Sequence, residues 1–159
     1  MNKLLNVGIG EAMIAFTPDV LVSYALGSCV GVCLYDYHKH MAGMVHILLP
    51  KNLNKQSSNE YKFADSGIQR LMNDMLQRGA NRKHIIAKLA GGAEMFPTYI
   101  EASSGIGYKN VEAAIHVLKS EGVPIIAQDT GENFGRSIWF HPKDGTLKVK
   151  TIKHGTYVI

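Results

Sequence analysis

Apolar residues run almost unbroken through "CVGVCLYD" (residues 29–36) and "MAGMVHILL" (41–49), the pattern of strands buried on both faces. "VLVSYA" (20–25) reads as another strand, so the first third of the chain is strand-rich. The pattern then changes. In "FADSGIQRLMNDMLQRGA" (63–80), Ile68, Leu71, Met72, Met75 and Leu76 recur at helical spacing and Gly79 supplies a stop. "HIIAKLAGG" (84–92) is a buried strand running into a glycine turn at Gly91 and Gly92. A second helix is predicted to begin near Asn110, a good N-cap. Val111, Ala114, Ile115 and Leu118 form its apolar face, and Gly122 and Pro124 close it. "PIIAQDTG" (124–131) is a further strand, while "RSIWF" (136–140) and "TLKVKTI" (146–152) form a hairpin turned at Asp144–Gly145. Polar "KNLNKQSSNEYK" (51–62) is a long surface loop.

Two helices among many strands imply an α+β fold. The expected core is strand-rich, of packed mixed sheets in a β-sandwich-like arrangement flanked by the two main helices. A chain of 159 residues suits one domain over residues 1–159 and is too short for two ordinary ones. With 46% hydrophobic and 19% charged residues, disordered and fibrous classes are excluded. The net charge of +4 comes without a stripe of lysine and arginine, so no nucleic-acid partner is expected and an acidic protein partner fits as well. Glycines and Glu11 interrupt "MNKLLNVGIGEAMIAF", which lacks the apolar run of a signal peptide or membrane span. No membrane insertion and a cytoplasmic location are therefore expected, where thiols stay reduced.

Two cysteines change the picture. Four residues apart in a strand, Cys29 and Cys33 would have Cα atoms roughly 13 Å apart, whereas a disulfide tolerates at most about 7 Å. Both thiols should be free. The C-x-x-x-C spacing, with no second pair, is a weak metal signal, and neither metal nor cofactor is expected. Cys33, between Val32 and Leu34, reads as a packed core thiol. Cys29, beside Gly27 and Ser28, has little bulk to cover it.

A cysteine nucleophile needs a base, because the thiolate is the reactive form. If the two apolar runs form an antiparallel hairpin with Tyr35 opposite His40, Cys29 faces His46, with Cβ atoms ~5 Å apart. A one-residue slip would put them on opposite faces. Each residue also has a structural reading, Cys29 as a packed thiol and His46 as a hydrogen-bonded core histidine. Spacing alone leaves both readings open.

At these residues the sequence resembles the CheD family, the chemoreceptor glutamine deamidases of bacterial and archaeal chemotaxis. "LGSCVGVCLYD" and "MVHILLP" resemble that family's catalytic cysteine and histidine segments. "KLAGGAEMF", "IGYKN" and "AQDTGENFGRS" resemble its later motifs in the same order, so the resemblance covers nearly the whole chain. It implies a nucleophile at Cys29, a base at His46, and a third catalytic position at Ser23, where the family typically has threonine. The implied activity is that of a protein-glutamine glutaminase acting through a thioester on methyl-accepting chemotaxis receptors. CheC, a phosphatase of the phosphorylated response regulator, is the implied partner. The family also resembles the catalytic domain of cytotoxic necrotizing factor toxins, which supports an α+β fold with packed sheets.

Backbone N–H groups near Ser28 and Cys29 are the expected oxyanion donors, Gly27 letting the chain turn tightly enough to aim them. Ser23 is expected to hold the imidazole by a hydrogen bond. "GGAEMF" and "DTGENFGRS" either line a substrate groove or serve as plain turns, and Arg136 reads as a solvated surface arginine. Two rival readings stand beside the enzyme. "GIGYKN" could hold a nucleotide phosphate at a helix N-terminus, although it lacks the third glycine and the Walker lysine. Alternatively, the chain is a non-catalytic regulator that binds CheC and receptors.

Overall fold

A computed structural model describes residues 2–55, 57–95 and 105–159. Among these, one five-stranded sheet comprises β1 (Leu4–Asn6), β3 (Val20–Leu26), β8 (Arg136–Phe140), β9 (Leu147–Thr151) and β10 (Gly155–Val158), in the order β1-β3-β8-β9-β10. The other comprises β2 (Ala12–Phe16), β5 (Met41–Ile47), β4 (Val30–Asp36), β6 (Ile85–Gly91) and β7 (Ile125–Thr130), in the order β2-β5-β4-β6-β7. We call them the outer and the central sheet. Each mixes one parallel pair, β1/β3 or β6/β7, with antiparallel neighbours. Helices α1 (Ala64–Gln77) and α2 (Ile106–Ser120) cover the free face of the central sheet. The result is the expected α+β architecture.

The layering explains the hydrophobic pattern. β4 and β5 are buried at every position because the central sheet is covered on both sides. Val30, Val32, Leu34, Val45 and Ile47 pack with Ile68, Leu71, Met72 and Met75 of α1 and Ala114 and Leu118 of α2. Cys33, Tyr35, Ala42 and Met44 face the outer sheet and meet Leu21, Ile138, Phe140 and Val149. Each large apolar side chain so buried contributes about 1.5–3 kcal/mol. The outer sheet has one solvated face, and β8 accordingly alternates: Arg136, Ile138 and Phe140 are buried, Ser137 and Trp139 only partly.

Three strands are added to the expected set, and two expectations are corrected. β1, β2 and β10 have no clear signal in the sequence, being three to five residues long and mostly part-exposed. α2 begins at Ile106, with Gly105 as its N-cap, so Asn110 lies inside the helix and is fully buried. The early start follows from close packing. A Cβ on Gly107 would sit 2.5 Å from the Ala93 carbonyl oxygen, and one on Gly92 would strike Val111. These two glycines let the first turn of the helix rest on the backbone of the 91–93 turn. Finally, Arg136 is 1% exposed. It occupies an inward position of β8 and bonds Asp129 Oδ1 of β7 at 3.1 Å and the Gly131 carbonyl at 3.0 Å, clamping the two sheets together.

Among the described residues, no helix is long and apolar enough to cross a membrane.

Candidate active site

Cys29 lies on the three-residue link, Gly27 to Cys29, that carries the chain from β3 in the outer sheet to β4 in the central one. A β-bulge prepares this crossing. Ser23 pairs with Ile138 and Leu26 with Arg136, so β3 holds one residue more than β8 between those rungs. Ala25 takes up the extra length with a φ of 55°, and both Ser23 and Leu26 stay buried.

The carbonyls of the link are each tied down. Gly27 O accepts from Ala93 N at 2.9 Å, and Cys29 O accepts from Gly92 N at 2.8 Å. Between them, Ser28 O accepts from Asn110 Nδ2 at 2.9 Å. The N–H groups of Gly27, Ser28 and Cys29 have no backbone acceptor among the described residues. This explains the small residues around the thiol: the chain is crossing between sheets, and backbone rather than side chains makes the wall.

His46 arrives from β5. The hairpin register differs from the expected one by two residues: Gly31, not Cys29, stands opposite His46, and Tyr35 stands opposite Ala42. Asp36 is the reason. It belongs to the last rung, with Met41, and its Oδ1 accepts from His38 N and Lys39 N, both at 2.9 Å, which fixes a loop of Tyr37 to His40. Because the shift is even, the face is conserved. Cys29, just before β4, packs in the cluster that faces the outer sheet, the side on which His46 Nδ1 meets the Val7 carbonyl. Between them Gly31 offers no side chain. A Cβ there would lie 2.6 Å from Ile138 Cδ1, so the fit admits only glycine without adjustment.

The third element is a backbone atom. The Val7 carbonyl, just past β1, accepts from His46 Nδ1 at 3.1 Å and from Ser23 Oγ at 2.7 Å. A carbonyl can only accept, so Nδ1 carries the proton and Nε2 is the basic nitrogen. Ser23 therefore does not hold the ring directly, as the sequence suggested. It holds the carbonyl that holds the ring, and its Oγ also lies 3.3 Å from Met44 Sδ. No side-chain motif announces Val7; the only local signal is the Gly8–Gly10 turn after it. The backbone of His46 is bracketed by that turn, its N–H bonding Glu11 O and its carbonyl accepting from Gly10 N.

Burial sets the electrostatics. Cys29 is 7% exposed and His46 4%. Burial pushes the Cys29 thiol up from its ordinary value, and its own backbone N–H offsets part of that. For His46, burial pulls the imidazole down, against the Val7 hydrogen bond and the charge of Glu11. The resting pair is thus neutral thiol and neutral imidazole. Cys33 is fully buried, and burial drives its thiol far up, so it is inert at neutral pH. Both cysteines are free.

The other motifs take structural places. Glu94 of "GGAEMF", whose Phe96 falls outside the described residues, accepts from Tyr108 N at 3.1 Å. A carboxylate of the chain itself thus fills the α2 N-terminus where the nucleotide reading would put a phosphate. Gly92, Glu94, Gly131 and Glu132 do line one groove of about 730 Å³ beside α2, which neither Cys29 nor His46 lines.

Comparison with known proteins matches residues 48–151 to the family described as CheD chemotactic sensory transduction. A "Probable chemoreceptor glutamine deamidase CheD" of Caldanaerobacter subterraneus is 49% identical, covering 99% of both chains. The protein of the same name from Syntrophomonas wolfei is 40% identical over the full length of both. In fold, the chain resembles a crystal structure of a Neisseria meningitidis protein of family DUF152. That likeness has a TM-score of 0.52 at 15% identity, over 81% of this chain and 64% of that one.

Proposed function

The chain belongs to the CheD family, and from that premise we propose that it deamidates glutamine side chains of chemoreceptors, using Cys29 as nucleophile and His46 as general base. The observation that carries the mechanism is the bond from His46 Nδ1 to the Val7 carbonyl, which leaves Nε2 free to take a proton on the face that Cys29 shares.

His46 Nε2 removes the Cys29 proton as sulfur attacks the carboxamide carbon, forming the C–S bond and moving the C=O electron pair onto oxygen. Ser28 and Cys29 N–H groups receive that charge. The imidazolium returns its proton to the amide nitrogen, the C–N bond breaks and ammonia leaves a thioester. Water, deprotonated by the same nitrogen, attacks the thioester; the C–S bond breaks, sulfur recovers the proton, and glutamate is released. Ser23 acts by positioning, through Val7. No step calls for a metal or cofactor.

The cytoplasmic segments of methyl-accepting receptors are the proposed substrate, which makes the proposed location the cytoplasm. CheC enters as a binding partner on the family resemblance alone. The test is mass spectrometry of a purified receptor fragment incubated with the protein. Conversion of amide to acid adds about one dalton per site and releases ammonia. Wild-type protein should produce both, and Cys29→Ala neither. Binding without a mass change would leave the non-catalytic regulator.

A further inference from the structure

The ladder between β4 and β5 ends at the rung Val30–Ile47. One step beyond it, the strands part, and a side chain from α2 enters the gap. Asn110 Nδ2 donates to Ser28 O and to Leu48 O, both at 2.9 Å. Asn110 is fully buried, and its Oδ1 has no hydrogen-bond partner among the described residues. Burying an unsatisfied amide oxygen costs stability, which an apolar residue here would avoid. The carboxamide makes a rung where the backbone cannot, joining the segment of the nucleophile to that of the base.

Peptide planarity gives this rung a chemical consequence. In a trans peptide the C=O of one residue and the N–H of the next point in opposite directions. Fixing Ser28 O on Asn110 turns the Cys29 N–H away from α2. Fixing Gly27 O on Ala93 N does the same for the Ser28 N–H. Neither of these N–H groups has a backbone acceptor among the described residues. We propose that Asn110 is a positioning residue of the deamidation reaction: by holding the Ser28 carbonyl it orients the Cys29 N–H as an oxyanion donor. This rests on the deamidase reading above.

Asn110→Asp tests it, because a carboxylate of the same shape cannot donate to the two carbonyls and repels both. Asn110→Ser, which leaves room for water there, carries the same measurement should Asn110→Asp not fold. Two rates are compared on the full chain: ammonia release from a receptor fragment, and alkylation of Cys29 by iodoacetamide, followed by peptide mapping. Alkylation needs the thiol and base but develops no oxyanion. The expected result is a kcat for ammonia release lower by about 100- to 1,000-fold, with KM and alkylation rate within about threefold of wild type. Undiminished ammonia release overturns the proposal, and so does a parallel fall in both rates, which marks a purely structural role. If the wild type releases no ammonia, the deamidase reading itself fails; if it does and the variants match it, only the role of Asn110 fails.

Discussion

Ser23 and His46 come from different sheets and meet at one atom, the carbonyl oxygen of Val7, at 2.7 and 3.1 Å. Both lone pairs of that oxygen are used. Removing the hydroxyl frees the carbonyl to turn, and with it the ring. Ser23→Ala should lower kcat for ammonia release by roughly tenfold, corresponding to about 1.4 kcal/mol, with Ser23→Thr close to wild type. Equal activity in Ser23→Ala would separate the hydroxyl from catalysis.

The two cysteines should divide cleanly. Cys29→Ala abolishes ammonia release while its melting temperature stays near that of the wild type. Cys33→Ala retains activity but loses about 1 kcal/mol of stability, since it trims a fully buried core side chain. Paired activity assays and thermal melts check both halves. An active Cys29→Ala protein would end the nucleophile assignment.

Alkylation kinetics report the charge state of the pair. With the thiol raised and the imidazole lowered by burial, Cys29 is protonated at neutral pH. Its iodoacetamide rate should keep climbing between about pH 7 and 9. A preformed thiolate–imidazolium pair would instead level off near pH 6. His46→Ala should slow the reaction at pH 7. An unchanged rate would mean that another group is the base.

Protonation of His46 also opposes folding. Its folded value lies below the ordinary one of about 6.5, so between the two the unfolded chain binds the extra proton. Stability from this group is complete above about pH 6.5 and is lost as pH falls through that window. Melting temperatures measured from about pH 7.5 down to 5 should drop more steeply for the wild type than for His46→Gln. Parallel slopes would show that other groups govern the acid limb.

Gly31→Ala tests the fit between the Cys29 and His46 segments. Its new Cβ would meet Ile138 Cδ1 at 2.6 Å, an overpacking that costs about 1–3 kcal/mol. Ile138→Val, which removes that methyl group, should restore part of the loss in the double variant. A thermal-melt cycle of the four proteins measures the coupling, and simple additivity would refute the contact.

The residues of the site were legible in the sequence to unequal depth. Continuous apolar runs gave away β4 and β5, because a sheet covered on both faces leaves no polar alternation to obscure them. The shared face of Cys29 and His46 survived a register error of two, since side-chain direction depends only on parity. The error lay in the turn, where Asp36, at the end of its strand, spends its carboxylate on the His38 and Lys39 N–H groups and so fixes the loop at Tyr37 to His40. Arg136 was misread for a related reason: a charged side chain signals solvent unless its partner, here Asp129, can be seen in space. Val7 was out of reach because its working atom is common to every residue. Asn110 was found but misplaced, as the close approach of Gly92 and Gly107 that starts α2 early is a tertiary event.

The proposed base and the atom that sets its tautomer belong to opposite halves of a seam. His46 stands on the central sheet, Val7 follows the first strand of the outer one, and Cys29, the proposed nucleophile, lies on the link of chain between the two. Competence is therefore a property of how the halves are seated, not of either half. A slight parting would leave every strand intact and still break the bond that sets the His46 tautomer, so the proposed chemistry leans on the Arg136–Asp129 clasp that joins the two sheets.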